Sequence, residues 1–208
     1  MKHRLITLLL ICFYILDSNA QSDLTLWYKS PAKVWEEALP VGNGRLGAMI
    51  FGDPQKERIQ FNENTLYSGE PETPKDINVE SDLGHIRQLL NEGKNTEAGN
   101  IIQQKWIGRL NEAYQPFGDL YIEFASKGAI TDYIHSLDMN NSIVTTSYKQ
   151  NGIAIRREVF ASYPAQAIII HLSASKPVLN FTAHLESPHP VTQDSDSQAI
   201  YLKGQAPA

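Results

Sequence analysis

Gly42-Asn43-Gly44-Arg45-Leu46-Gly47 fits the spacing G-x-G-x-x-G. Glu63 follows about twenty residues on, where a ribose-binding acid stands in dinucleotide-binding folds. There the glycines close a strand-to-helix turn. Here Ala48-Met49-Ile50-Phe51 after the glycines reads as a strand, and no strand–helix–strand unit is legible anywhere. The glycines instead describe a tight loop whose backbone lets another group approach closely. Asn43 and Arg45 within it, and Asn62 and Glu63 beyond it, are groups that hydrogen-bond hydroxyls or a facing protein surface.

Glu36-Glu37 and Glu63 raise acid–base chemistry. Glycoside hydrolysis needs two carboxyls placed across the scissile bond. Sequence spacing does not give that separation, and carboxylates are ordinarily surface groups. The six histidines are scattered without an H-E-x-x-H pair. Asp194-x-Asp196 lacks the glycine and terminal glutamate of a calcium loop. The sequence therefore calls for no metal and no cofactor. Asn140-Asn141-Ser142 and Asn180-Phe181-Thr182 are glycosylation sequons, meaningful in a eukaryotic secretory pathway. Trp27, Tyr28, Trp35, Tyr67, Trp106, Tyr114 and Phe117 gather in the first half. Such rings stack on sugar C–H faces or fill a sandwich core, and composition leaves both readings open.

The elements that must position these groups are mainly strands. Leu24, Leu26 and Tyr28 alternate with Thr25, Trp27 and Lys29, a period of two. Residues 46–51 and 57–61 form a hairpin across Gly52-Asp53-Pro54. Residues 68–75 are a loop, after which the period changes. Ser81 is placed to cap a helix carrying Leu83, Ile86, Leu89 and Leu90, stopped by Gly93. Asn95 is placed to cap a second, with Ala98, Ile101, Ile102 and Trp106, stopped by Gly108. This helical hairpin reads as a lid packed on a sheet. From Asp119 the chain returns to strands: 119–124, 131–139, 142–150, 153–162, 166–173, 178–186 and 198–203. Asn151-Gly152 is a strong tight-hairpin signal. Residues 187–197 read as a polar connection. Turn chemistry every ~8–12 residues predicts an all-β dominated fold, an antiparallel β-sandwich with an inserted helical hairpin. Ile200, Tyr201 and Leu202 are followed only by a turn. The sheet is thus expected to lack a neighbour there, although a short last strand would give the same pattern.

The chain has 208 residues, with 42% hydrophobic and 20% charged, in the ordinary globular range and unlike a disordered chain or a coiled coil. Net charge is −5 and no basic run stands out, so the footprint of a nucleic-acid binder is missing. Lys2, His3 and Arg4, the apolar run 5–16 and Ser18-Asn19-Ala20 read as a secretory signal peptide cleaved between Ala20 and Gln21. The run is too short for a membrane span, so no membrane association is expected after cleavage. Residues 1–20 hold two of the 18 basic and one of the 23 acidic residues, so the remainder carries −6. Cys12, the only cysteine, leaves with them. The expected product is one domain over 21–208, exported to the periplasm or outside the cell and held by packing rather than disulfides.

Several segments together resemble one family. They are Leu26-Trp27-Tyr28 with Pro31-Ala32 and Trp35, and Glu37-Ala38-Leu39-Pro40-Val41-Gly42-Asn43-Gly44-Arg45-Leu46-Gly47-Ala48-Met49. Glu57-Arg58-Ile59-Gln60, Asn62-Glu63-x-Thr65-Leu66, Tyr114-Gln115-Pro116-x-Gly118-Asp119-Leu120 and Leu137-Asp138 follow in order. The chain is similar to the N-terminal domain of glycoside hydrolase family 95, the α-L-fucosidases, some of which prefer α-L-galactosides. Tyr67 stands where that family usually has Trp, and Phe117 where it usually has Leu; both keep apolar character.

The resemblance implies a large sandwich of the supersandwich type, incomplete here at its C-terminus, then a linker, an (α/α)6 barrel and a C-terminal β domain. It also implies a fucosylated oligosaccharide or polysaccharide as substrate. Inverting chemistry would belong to the barrel, so no catalytic residue is assigned in this chain. Asn43, Arg45, Asn62 and Glu63 are then expected to face the barrel or the substrate rim. An intradomain hairpin is the alternative for those four. A stand-alone carbohydrate-binding module, or an interaction domain without sugar affinity, is the alternative for the chain.

Overall fold

The computed structural model describes residues 24–69, 79–107 and 112–206. The expected signal peptide, its Ala20/Gln21 cleavage point and Gly108 lie outside these residues. The described chain is an antiparallel β-sandwich of two five-stranded sheets with a separate two-stranded ribbon and two helices.

One sheet has the order β1-β6-β7-β8-β9. Its strands are β1 (Thr25–Tyr28), β6 (Ile130–Asp138), β7 (Ile143–Gln150), β8 (Ile153–Ser162) and β9 (Ala167–Ala174). Asn151 and Gly152 have φ of 50° and 77°, so the two-residue turn between β7 and β8 has the left-handed backbone that matches strand twist. The other sheet has the order β10-β5-β4-β3-β2. Its strands are β2 (Leu39–Gly42), β3 (Leu46–Ile50), β4 (Lys56–Glu63), β5 (Gly118–Phe124) and β10 (Phe181–Glu186). Strand period two sends Leu39, Val41, Ala48, Ile50 and Ile59 inward. They meet Leu137, Val144 and Val159 from the facing sheet. Each such side chain contributes about 1.5–3 kcal/mol on burial.

Two strands escape the sequence reading. β2 is short and carries Pro40, which an edge strand tolerates because its outward N–H needs no ladder partner. β11 (Val191–Ser195) lies inside the stretch read as a polar connection. It pairs with β12 (Ile200–Gly204) in a mostly exposed ribbon, where an apolar face is not required.

The helical hairpin is α1 (Glu80–Asn91) and α2 (Asn95–Ile101), the latter running into a π-helical turn, Ile102–Trp106. The expected caps shift by a residue or more. Ser81 lies within the first turn of α1, after Val79, and Lys94 rather than Asn95 stands at the N-cap position of α2, neither helix having a side-chain cap. Glu80 and Asp82 instead place negative charge at the positive end of α1. Its end is as expected: Gly93 has φ of 75°, Lys94 N–H donates to Leu89 O and Gly93 N–H to Leu90 O. Ile86, Leu89 and Ala98 bury against Ile101, Ile102 and Trp106 in a core of their own. The apolar stripe thus closes between the helices instead of on the sandwich core, and Leu90 is exposed.

One charged cluster is buried where the β3–β4 turn meets the facing sheet. Glu57 and Arg157 form an ion pair, each almost fully inaccessible. Glu57 Oε1 accepts from Phe51 N–H at 3.1 Å and Gly52 N–H at 2.9 Å, and Arg157 donates to Asp53 O at 3.1 Å. His135 holds Ile50 O through Nε2 at 3.1 Å and Thr146 Oγ1 through Nδ1 at 2.9 Å. Tyr133 and Tyr148 donate to Gly52 O and Pro54 O. Burial pushes the Glu57 carboxyl up, opposed by Arg157 and the two amides. It pushes His135 down to about 4, so the ring is neutral.

Candidate functional site

The glycine-rich segment is the turn between β2 and β3. Gly44 sits at its tip with φ of 91°, which a side chain would strain. Asn43 closes the turn: its Oδ1 accepts from Arg45 N–H at 3.1 Å and Leu46 N–H at 2.8 Å. Its Nδ2 donates to Ser162 O at 2.9 Å, at the end of β8. The hairpin tip of one sheet is thereby fastened to the turn that leads into β9 of the other. Strands flank the glycines on both sides, so the structure has no helix N-terminus here for a pyrophosphate.

Arg45 continues the link. Its Nε donates to Gln166 Oε1 at 2.8 Å, and its guanidinium lies 3.7 Å from Glu63. Glu63 ends β4 and accepts from Thr65 N–H at 2.7 Å and Thr65 Oγ1–H at 2.6 Å. Those two bonds, with Arg45 a smaller contributor, hold its carboxyl below the usual range. Asn62 donates to Gln115 O at 2.9 Å and accepts from Glu63 N–H. Tyr114 reaches Glu63 O with its hydroxyl, and its ring lies 5.1 Å from that of Tyr67.

Asn43, Arg45 and Glu63 therefore meet at one end of the sandwich, and Asn62 adjoins them. Every one of the four has a partner inside the domain. Glu37 is elsewhere employed, accepting from Lys33 N–H across a single 3-10 turn. Sequence reasoning missed Ser162, Tyr163 and Gln166, which lie about 120 residues away along the chain. Tyr163-Pro164 was the available turn signal. Tyr163 is 72% exposed, and Arg45, Tyr67 and Tyr114 are also open to solvent.

Chemically, this end offers one carboxylate biased toward its charged form, a guanidinium, three side-chain amides and three phenols. A carboxylate held ionised accepts hydrogen bonds and does not protonate a leaving group. The groups of this end can donate and accept hydrogen bonds. Among the described residues no three His, Cys, Asp or Glu side chains converge to hold a metal.

Residues 26–208 match the family model described as glycosyl hydrolase family 65, N-terminal domain. The chain belongs to this family. Alpha-L-fucosidase 2 of Arabidopsis thaliana is 35% identical over 168 residues, covering 79% of this chain and 20% of that protein. Probable alpha-fucosidase A of Aspergillus niger is 28% identical over 174 residues, covering 78% of this chain and 21% of that protein. The Aspergillus oryzae protein of the same name is also 28% identical over 174 residues, covering 78% and 23%. These relatives agree with the α-L-fucosidase resemblance read from the segments between Leu26 and Asp138. The chain spans about a fifth of the length of the curated relatives it matches.

Proposed function

We propose that this chain is the N-terminal sandwich of an exported glycoside hydrolase of the family 95 type, which removes terminal α-L-fucosyl or α-L-galactosyl groups with inversion. Residues 1–20 serve as its export signal. The sandwich acts as a scaffold and pocket rim, while the acid and base belong to an (α/α)6 barrel outside these 208 residues. The substrate is a fucosylated oligosaccharide or polysaccharide. The observation that carries the reading is the 35% identity to a protein named as an α-L-fucosidase, together with the family match over 26–208. The Asn43–Glu63 end supports the rim role. It is polar and lined by exposed tyrosines, and among the described residues it brings together no pair of carboxyls that would cleave a glycoside by itself.

The test is the product of the native gene, incubated with a fucosylated oligosaccharide and followed by proton NMR. Release of β-L-fucose as the first-formed anomer is expected from inversion of an α-linkage. No fucose release, or α-L-fucose as the first product, would overturn the reading or its stereochemistry respectively. The variant Glu63→Gln should retain activity better than loss of a proton donor allows, because its role is to accept hydrogen bonds.

A further inference from the structure

Strand register builds a second polar feature on the outer face of the β4–β5–β10 sheet. Ile59 and Leu120 face the core, so their neighbours point outward. Gln60 lies opposite Asp119, and Asp119 opposite Glu186. Arg58 lies in the next row, beside Tyr121. These side chains line an open groove of about 400 Å³, walled by Pro116 and Pro188. Its volume is that of an ordinary small-ligand cleft.

The groove is preorganised. Arg58 grips Asp119 in a two-bond fork, 2.9 Å and 3.0 Å. Both groups are thus held in one plane, and their charges largely cancel. The guanidinium also rests over the Phe51 ring, 4.9 Å from its centre. Donors remain on Arg58 and acceptors on Asp119, both held by the fork, and Glu186 adds further acceptors beside them. The Gln60 amide, which also lines the groove, carries both an acceptor oxygen and N–H donors. Glu186 lies 3.4 Å from His184 and stays more than half exposed. One cation against two carboxylates disfavours an anionic ligand, and the Arg58–Asp119 fork leaves no converging acid pair for a cation. Adjacent donors and acceptors on planar groups suit vicinal hydroxyls, each of which gives and takes a hydrogen bond.

We propose that this outer groove is a binding site for a neutral oligosaccharide, with Arg58, Asp119, Gln60 and Glu186 reading its hydroxyls. The choice of sugar among neutral polar ligands rests on the fucosidase reading above. The groove's role is to hold glycan on the face of the sandwich.

The experiment is saturation-transfer difference NMR of the purified chain with 2′-fucosyllactose, and with lactose as the unfucosylated control. Gln60→Ala and Glu186→Ala are compared with wild type after matching circular dichroism and melting curves. Both side chains point outward, so either variant that folds suffices. Binding by wild type, weakened about tenfold by either substitution, is expected for a lost hydrogen bond to a hydroxyl. Equal binding of lactose would still support a sugar site, without fucose preference. Wild-type affinity in both variants, or no transfer at about 10 mM sugar, a range that covers weak millimolar binding, would overturn the proposal. Fucose release by the native-gene product is read separately. Release with no groove binding sinks the groove alone, and groove binding without release sinks the hydrolase reading alone.

Discussion

At the Leu46 end of β3, Asn43 and Arg45 reach across to the β8–β9 turn in contact with solvent. At the Ile50 end, Glu57, Arg157 and His135 make the corresponding link in the dry interior. Both clusters fasten a hairpin of one sheet to the other, and both pair an arginine with a glutamate. Surroundings separate their roles. In the interior an ion pair is held by the loss that would follow from breaking it, whereas at the surface the same pair adds little to stability. The buried cluster is therefore the structural joint. The exposed one keeps the register of its turns and leaves polar and aromatic groups open to solvent.

The largest effect should come from breaking the joint. Arg157→Ala leaves Glu57 buried without its partner and should cost about 3–5 kcal/mol in urea denaturation. Replacing both, as Glu57→Leu with Arg157→Met, should cost clearly less than the single change. A double-variant cost equal to the sum of the two single-variant costs would show that the pair is not coupled.

Next comes the turn that the joint holds. Gly52 has φ of 82°, and a Cβ there would lie 2.7 Å from Tyr133 Oη and 2.8 Å from the His135 ring. Gly52→Ala should cost about 2–3 kcal/mol. Gly44→Ala should cost less: φ is 91° there too, but nothing lies within 4 Å of the added methyl.

A pH series separates the two ends further. The His135 pKa is depressed to about 4 from 6.5, so unfolding takes up a proton below the unfolded value. Its contribution is complete above about pH 6.5 and falls as pH drops toward 4, by at most about 1.4 kcal/mol per pH unit. The raised Glu57 pKa acts in the opposite sense, because the folded state then binds the proton more readily. Comparing His135→Asn with wild type isolates the histidine: the variant should show a flatter loss between pH 6.5 and 4.

The smallest stability effect belongs to the exposed end. Arg45→Ala should leave the melting temperature within about 2 °C. A larger drop would erase the contrast between the two clusters.

These contrasts also explain what the sequence could reveal. Val144 and Val159 bury on the strict alternation of their strands, and Asn151-Gly152 fixes its turn by local backbone chemistry, so both were legible. β11 was not, because a surface ribbon made of Val-Thr-Gln-Asp-Ser has no apolar face to betray it. The helix caps were misplaced because neither helix starts on a side-chain cap; acidic residues in each first turn, Glu80 and Asp82 in α1 and Glu97 in α2, meet the positive end instead. At the exposed end, Asn43, Arg45, Asn62 and Glu63 stood out by type and spacing. Their contacts with Ser162 and Gln166 did not, since a sheet-to-sheet link about 120 residues long leaves no local pattern. Glu57 and Arg157 look like any strand charges until their inward register is known.

The most direct measurement is kcat/KM for fucose release by the native-gene protein and by its Arg45→Ala variant, at matched melting temperature. A drop of about tenfold or more is expected if the exposed end serves the pocket or the domain that carries it. An unchanged kcat/KM would contradict that assignment and leave Arg45 a surface contact between two turns.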